Sequence, residues 1–298
     1  MLDFKPVMIA DKERIQSFFY RSNFRNCDFS FSNIFIWKHL YNTQFCIDDD
    51  FLYFRFQPSE DVPGYLFPLG EGNLKKALTQ ICDDAQERVT PVRLYAITPE
   101  MFDLIENALP GQFIYETERN WHEYIYSSAD LISLAGKKYQ AKRNHINKFK
   151  RTYRWEYLPI TRAIIPECVE LYERWCAENG GCSGVLSLAQ EQVATQKAFN
   201  YYEKLGLTGG ALRIDGEILA YSYGQPLGQD TFGIHAEKCL HEINGGFTMI
   251  NQQFAEHNCA GYAYINREED LGLESLRKAK MSYYPAILLG KGYARIKE

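Results

Sequence analysis

Two stretches of this chain, set roughly 160–175 residues apart, run through the same succession of elements: helix, helix, three strands, helix, strand, helix, strand. In the first, apolar residues at helical spacing (Ile15, Phe18, Phe19; Phe31, Ile34, Phe35) predict helices over 11–20 and 30–41. Alternation predicts strands over 43–47 and 51–56 around Asp48-Asp49-Asp50, and a third over 64–68. A helix over 73–87, a strand over 92–97, a helix over 99–108 opened by Thr98-Pro99, and a β segment spanning 112–127 follow. The second stretch gives helices over 164–178 and 189–204, then strands over 209–214 and 217–224. The dipeptide between those strands, Asp215-Gly216, suits a tight hairpin because both central residues of such a turn need positive φ. A strand over 230–237, a helix over 245–258, a strand over 262–266, a helix over 273–281 and a strand over 286–294 complete it. The halves share little identity, so what repeats is pattern. The expected class is α+β: two modules, 1–130 and 161–298, joined by 131–160, each a mixed, mostly antiparallel sheet flanked by helices.

Composition excludes several classes. With 46% hydrophobic and 15% aromatic residues, the 298-residue chain has ample surface to bury and is not disordered. No run approaches the ~18 apolar residues of a membrane helix. The opening MLDFKPVMIADKERIQ has acids at once and no apolar stretch, so a cytoplasmic protein is expected. The eight cysteines are scattered with no C-x-x-C, which reads as free thiols. The nearest approach to a metal motif, His235-Ala-Glu-Lys-Cys239-Leu-His241, fits no standard zinc spacing, and no metal is expected. Phosphate-loop, dinucleotide-binding, nucleophile-elbow and zincin motifs are all missing. Cys176-Ala-Glu-Asn-Gly-Gly-Cys182 reads as a Gly-rich connection between helices.

Three segments stand out. Between Leu131 and Trp155 there are eight Lys/Arg and no acid, which leaves −13 on the remainder of a chain whose net charge is −5. As a helix, this window puts Tyr139, Ile146, Phe149 and Tyr153 on one stripe, with Lys137, Asn144, Lys148 and Arg151 opposite. Its reading is either a solvated basic face or a site for a polyanion, such as tRNA, an anionic headgroup or a nucleotide-bearing donor. Next comes Thr231-Phe-Gly-Ile-His-Ala-Glu-Lys238, where strand alternation puts His235 and Glu237 on one face and Phe232, Ile234 and Ala236 on the other. It runs into Glu242-Ile-Asn244-Gly245-Gly246-Phe247 and a helix, where backbone N–H groups can face an anion. The third segment is Asn266-Arg-Glu-Glu-Asp270, at the end of a strand, where Asp270 can cap the next helix.

The element order resembles that of the GNAT (N-acetyltransferase-like) fold, in which a donor's pyrophosphate sits where the helix after the fourth strand begins. The pyrophosphate loop of that fold reads Gln/Arg-x-x-Gly-x-Gly/Ala. Here only Gly245 agrees, and Glu242 and Phe247 depart from it. The three segments together resemble a bacterial family of unknown function grouped with the C-terminal domain of phosphatidylglycerol lysyltransferases. The carrying residues are Gly136-Lys-Lys-x-x-x-Lys142-Arg-Asn-His-Ile-Asn-Lys-Phe149, then Ile234-His-x-Glu237-Lys238 and Ile265-Asn-Arg-Glu-Glu-Asp-Leu-Gly272, with Leu276-Arg-Lys-Ala-Lys280 and Ser282-Tyr-x-x-Pro285. The resemblance spans nearly the whole chain and implies tandem GNAT-like domains, with kinship to enzymes that move an aminoacyl group from charged tRNA.

From this follows an expected acyl- or aminoacyltransferase, with acyl-CoA or aminoacyl-tRNA as donor and a small-molecule or peptide amine or hydroxyl as acceptor. Such an enzyme must bring the acceptor to an activated carbonyl, take a proton and stabilise an oxyanion. Glu237 is expected as the base, with His235 beside it. Asn244, Gly245 and Gly246 are expected to hold a donor phosphate, and Lys137, Lys142, Arg143 and Lys148 the polyanionic part of the donor. Asn266, Arg267 and Asp270 are expected at the acceptor. The alternative is a ligand- or tRNA-binding protein that keeps the fold without the chemistry. The first module is expected to be structural.

Overall fold

The structure, a computed structural model, describes residues 2–58, 62–180 and 188–297; Cys182 lies outside them. In chain order the elements are β1 (Lys5–Pro6), α1 (Lys12–Ser22), α2 (Phe31–Tyr41), β2 (Gln44–Asp48), β3 (Phe51–Phe56), β4 (Gly64–Leu66), β5 (Leu69–Gly70), α3 (Leu74–Glu87), β6 (Arg93–Ile97), α4 (Pro99–Ala108), β7 (Phe113–Thr117), β8 (Glu123–Ser127) and α5 (Ser128–Ser133). They continue with α6 (Gln140–Thr152), β9 (Trp155–Pro159), α7 (Ile165–Glu178), α8 (Leu188–Asn200), α9 (Tyr202–Leu205), β10 (Thr208–Ile214), β11 (Glu217–Pro226), β12 (Thr231–Cys239), α10 (Gly246–Asn258), β13 (Tyr264–Asn266), α11 (Glu274–Met281), β14 (Ile287–Leu289) and β15 (Gly292–Ile296).

The local signals act as expected. Ser30 caps α2 by accepting from the Asn33 N–H at 3.2 Å, and Thr98 caps α4 ahead of Pro99 by accepting from the Met101 N–H at 3.3 Å. The α1 face that was expected to be apolar, Ile15, Phe18 and Phe19, is buried. Each such side chain taken from water contributes about 1.5–3 kcal/mol.

The strands form two mixed, mostly antiparallel sheets, so the class is α+β. One sheet has the order β1-β2-β3-β4-β6-β15-β7, with β5 pairing β3; the other runs β14-β8-β13-β12-β11-β10-β9. Each has a parallel pair, β4 with β6 and β12 with β13.

The expected modules are contiguous, whereas the compact units interleave. One unit is Met1–Glu123 with Glu269–Arg277 and Leu288–Glu298; the other is Tyr124–Glu268 with Lys278–Ile287. The expected strand over 286–294 is in fact two strands, β14 and β15, and β15 inserts between β6 and β7. The expected β segment over 112–127 is likewise two strands, one for each sheet. Periodicity does not tell one strand from two when the break is short, here two residues between β14 and β15 and five between β7 and β8.

Within the first unit, the segment entering β15 is held by a buried charge. Lys291 Nζ, with 3% of its side chain exposed, donates to Asp28 at 2.7 Å, to Glu123 at 2.6 Å and to Glu269. Cys27 adds its backbone N–H and its thiol to Glu123. The ligand atoms of Cys27, Asp28, Glu123 and Glu269 lie within 4.8 Å of one another, as a metal site's would. The lysine ammonium holds the cation's place. Next to it, β15 runs so close to β7 that a Cβ on Gly292 would lie 2.0 Å from the Glu116 carbonyl oxygen, so only glycine fits.

Burial pushes the Glu123 carboxyl up to about 7; Lys291 opposes the rise, while Glu269 and Asp28 add to it. A carboxyl raised in the folded state contributes stability fully below its unfolded value, about 4.5. That contribution is lost as pH rises to about 7. Glu123→Gln is therefore expected to gain stability relative to wild type between pH 4.5 and 7, read by urea denaturation across that range. Lys291→Met leaves the buried Glu123, with the half-buried Asp28 and Glu269 beside it, without a cation and is expected to cost about 3–5 kcal/mol in the same assay.

Candidate active site

The geometry of the second unit starts from β12. It pairs in parallel with β13 over only three residues, Thr231–Gly233 against Tyr264–Asn266, while it stays on β11 from Phe232 to Cys239. β12 and β13 therefore part beyond Gly233, and the residues that follow on β12 border the opening.

A bulge in β12 re-aims them. Tyr223 pairs with Ala236 and Gly224 with Ile234, so His235 has no opposite number. One extra residue reverses the alternation beyond it. Glu237, opposite Ser222, thus shares a face with Phe232 and Ile234, not with the positions expected from the sequence. That face packs on α10: Phe232 meets Phe254, and Glu237 meets Asn251. Lys238 faces the other way, over the Trp175 ring of α7 at 3.5 Å and paired with Glu191 of α8 at 2.6 Å.

Glu237 is the centre of a small polar cluster. Its Oε1 accepts from Arg267 Nη2 and its Oε2 from Asn251 Nδ2, each at 2.9 Å. Both members of the ion pair are largely buried, with 11% of the Glu237 and 12% of the Arg267 side chain exposed. The guanidinium lies 5.0 Å from the Tyr283 ring centroid and 5.7 Å from that of Tyr126. Tyr283 is itself held, its carbonyl accepting from the Tyr139 hydroxyl at 2.9 Å. Three buried polar atoms around the carboxylate have no hydrogen-bond partner among the described residues: Ser222 Oγ, Asn251 Oδ1 and Arg267 Nη1. Such groups are rare in protein interiors because each costs about 1–3 kcal/mol, and they concentrate where something else binds.

Lys142 of α6 reaches the same place. Its ammonium lies 3.8 Å from the Tyr283 ring centroid and donates to Ser282 Oγ at 2.7 Å. Burial lowers its pKa to about 8; Arg267 lowers it further and Glu237 works against the shift.

The other expected residues are placed as follows. His235 pairs with Glu268 at 2.8 Å and has 1% of its side chain exposed. Asn266 is fully buried, and its Oδ1 accepts from the Glu268 N–H at 2.7 Å, shaping the turn that presents Glu268. Asp270 belongs to the first unit, where it pairs with Arg119 and Arg277 and accepts from the Gly272 N–H. Arg143 turns back on its own segment and donates to the Leu134 and Gly136 carbonyls. Lys137 and Lys148 are exposed, as are Lys150, Arg151 and Arg154.

The N-terminus of α10 is enclosed by α6. Gly245 caps it in the left-handed region at φ 82°, and a Cβ there would stand 3.0 Å from the His145 carbonyl oxygen. The Asn244 N–H donates to the Tyr153 hydroxyl at 3.2 Å. Gly246 faces Cys239 Sγ, which a Cβ would approach to 2.4 Å.

Sequence reasoning missed Asn251, Ser222 and Ser282 as members of this cluster. Ser282 and Tyr283 stand in the Ser282-Tyr-x-x-Pro285 motif and were within reach. Asn251 and Ser222 carry no local signal, because only the bulge and the seat of α10 bring them to Glu237.

Two mixed sheets, each with a short parallel pair, and a buried polar cluster where the pair of the second unit parts, make the arrangement of a tandem GNAT-like fold. The family model for the phosphatidylglycerol lysyltransferase C-terminal domain matches residues 19–293, and the chain belongs to that family. A crystal structure of a conserved protein of unknown function from Bacteroides thetaiotaomicron is 44% identical, with each chain fully covered and a TM-score of 0.95. The structure of L-PGS from Bacillus licheniformis has 18% identity and a TM-score of 0.65, covering 96% of this chain and 91% of that one. A tandem GNAT protein from the clavulanic acid biosynthesis pathway reaches a TM-score of 0.50 at 8% identity, covering 99% and 98%. At those two identities the likeness is one of fold. A curated relative, protein MYCGA3080 of Mycoplasmoides gallisepticum, is 22% identical over 192 residues, which are 62% of this chain and 58% of that protein. No helix among the described residues is long and apolar enough to cross a membrane.

Gly245→Ala is expected to lower stability by about 1–2 kcal/mol, because a left-handed residue with a Cβ is strained and the His145 carbonyl leaves it little room. Urea denaturation measures the loss. An unchanged midpoint would mean that α6 does not pack against this turn as described.

Proposed function

We propose that this protein is an aminoacyltransferase that moves an aminoacyl group from charged tRNA to an amine or hydroxyl acceptor at the Glu237–Arg267 cluster of its second unit. The observation that carries the reading is the set of three buried, unpartnered polar atoms, Ser222 Oγ, Asn251 Oδ1 and Arg267 Nη1, around one buried ion pair. They offer acceptors to an α-ammonium group and a charged donor to a carbonyl oxygen, which are the polar groups of an aminoacyl ester. Membership of a family described by its lysyltransferase domain supports the same class of reaction.

Support for tRNA over coenzyme A comes from the start of α10. That turn is the place for a pyrophosphate in a GNAT-like domain, and here it is taken by the Tyr153 hydroxyl and the α6 backbone. The exposed cations of α6 and its flanks suit a phosphate backbone. Lys137 and Lys148, with Lys150 and Arg151, are the residues proposed to hold it. Arg267 is assigned to the transferred carbonyl, and Glu237 with Asn251 to holding Arg267 and the ammonium group. His235, tied to Glu268 and out of solvent, is assigned to keeping that turn in place.

The test compares donors. Filter binding of mixed aminoacyl-tRNA is expected to weaken steeply with salt, and Lys148→Gln and Lys150→Gln to reduce the slope by about one each. Millimolar acetyl-coenzyme A is expected to leave the melting temperature unchanged. A ligand at ~100 times its dissociation constant adds ~2.7 kcal/mol, so a coenzyme A upshift of several degrees, without salt-sensitive tRNA binding, would overturn the choice of donor.

A further inference from the structure

The transfer reaction needs a group to take a proton from the attacking acceptor, and the cluster narrows the choice. Glu237 already answers a guanidinium on one oxygen and an amide on the other. His235 is tied to Glu268 with 1% of its side chain exposed. We propose, resting on the transferase reading above, that Lys142 in its neutral amine form is the general base.

Three contacts set this up. The Ser282 hydroxyl gives its own hydrogen to the Ala279 carbonyl at 2.6 Å, so toward Lys142 it only accepts. An amine that donates to Ser282 keeps its lone pair for something else. The Tyr283 ring covers one side of the nitrogen at 3.8 Å and takes it partly out of water. The charged and titratable groups around it are Arg267 beyond β13, Glu237 on β12 and Tyr283 after α11. The buried guanidinium and the lost hydration disfavour a second cation beside Arg267, while the carboxylate favours it; the balance leaves the amine half neutral at about pH 8. A base poised near working pH is the most effective kind. The exposed lysines of the same helix have no such surroundings.

The step balances without a redox partner. The acceptor's amine or hydroxyl attacks the ester carbonyl of the aminoacyl donor. The new C–N or C–O bond forms and the acceptor's proton passes to Lys142 Nζ. The bond to the terminal ribose oxygen then breaks, and Lys142 returns the proton to that oxygen. Lys142 is thus neutral before and after each turnover, and Arg267 Nη1 faces the oxyanion between.

Two measurements test this. In the first, trace acetylation of the intact protein between pH 6 and 11 is followed lysine by lysine by mass spectrometry. Lys142 is expected to titrate near 8, lowered from the ordinary lysine value of 10.5. A midpoint at the ordinary lysine value of 10.5 overturns the proposal.

In the second, single-turnover deacylation of mixed radiolabelled aminoacyl-tRNA, with water as acceptor, is measured against pH. The wild-type rate is expected to rise to a plateau with a midpoint near 8. Lys142→Met is expected to lose roughly 100-fold or more of that plateau. Lys142→Arg keeps a long basic side chain without a neutral form at working pH and is expected to stay equally slow, whereas added ethylamine restores part of the Lys142→Met rate. A wild-type pH profile in Lys142→Met, or full activity in Lys142→Arg, overturns the role of Lys142 and leaves the transferase reading standing. Absence of wild-type deacylation, with the low labelling midpoint present, removes the transferase reading and the catalytic role with it.

Discussion

Strands β12 and β13 lie side by side for three residues and then separate, and most of what is chemical in the second unit depends on that short parallel contact. A longer pairing would occupy the backbone of β12 along the stretch that carries His235 and Glu237. Because the contact ends at Gly233, the strand is free to bulge at His235 while still bonded to β11. The bulge turns Glu237 to the side where α10 supplies Asn251 and the segment after β13 supplies Arg267. The opening, the re-aimed carboxylate and its partners are one structural event.

Each unit holds a buried cluster of opposite charges, and the two differ in how completely they are satisfied. Around Lys291, the ammonium donates to three carboxylates and two of those, Glu123 and Glu269, also accept from Cys27. A network closed in this way resists change, because losing any member exposes another to a dry interior. Around Glu237, the ion pair is intact, but the guanidinium, the amide and a serine each keep an unanswered polar atom. The first cluster is closed on itself, and the second has polar atoms left to offer a ligand.

The basic segment shows how burial divides one charge pattern into separate tasks. Arg143 closes onto carbonyls of its own loop, Lys142 is drawn under Tyr283, and Lys137, Lys148 and Lys150 stay in solvent. Along the sequence these are equivalent cations at close spacing. In space they are a brace, a partly desolvated amine and a surface.

Element type and order were legible in the sequence because they rest on local rules: apolar spacing, caps such as Ser30 and Thr98-Pro99, and the Asp215-Gly216 turn. The candidate-site residues Glu237, Arg267 and Lys142 were legible too, since they stand in motifs that carry the family resemblance. The assignment of β15 to the first sheet was not, because strand pairing is a non-local choice and two glycines around Lys291 look like any turn until three distant carboxylates surround it. Nor was the face of Glu237, because a bulge is decided by the partner strand and reverses every position after it. Ser222 and Asn251 became part of the site only when the sheet and α10 closed around that carboxylate. The sequence by itself determined which residues could carry charge and where helices and strands would run; tertiary structure decided which of those charges lost their water, and so which could do chemistry.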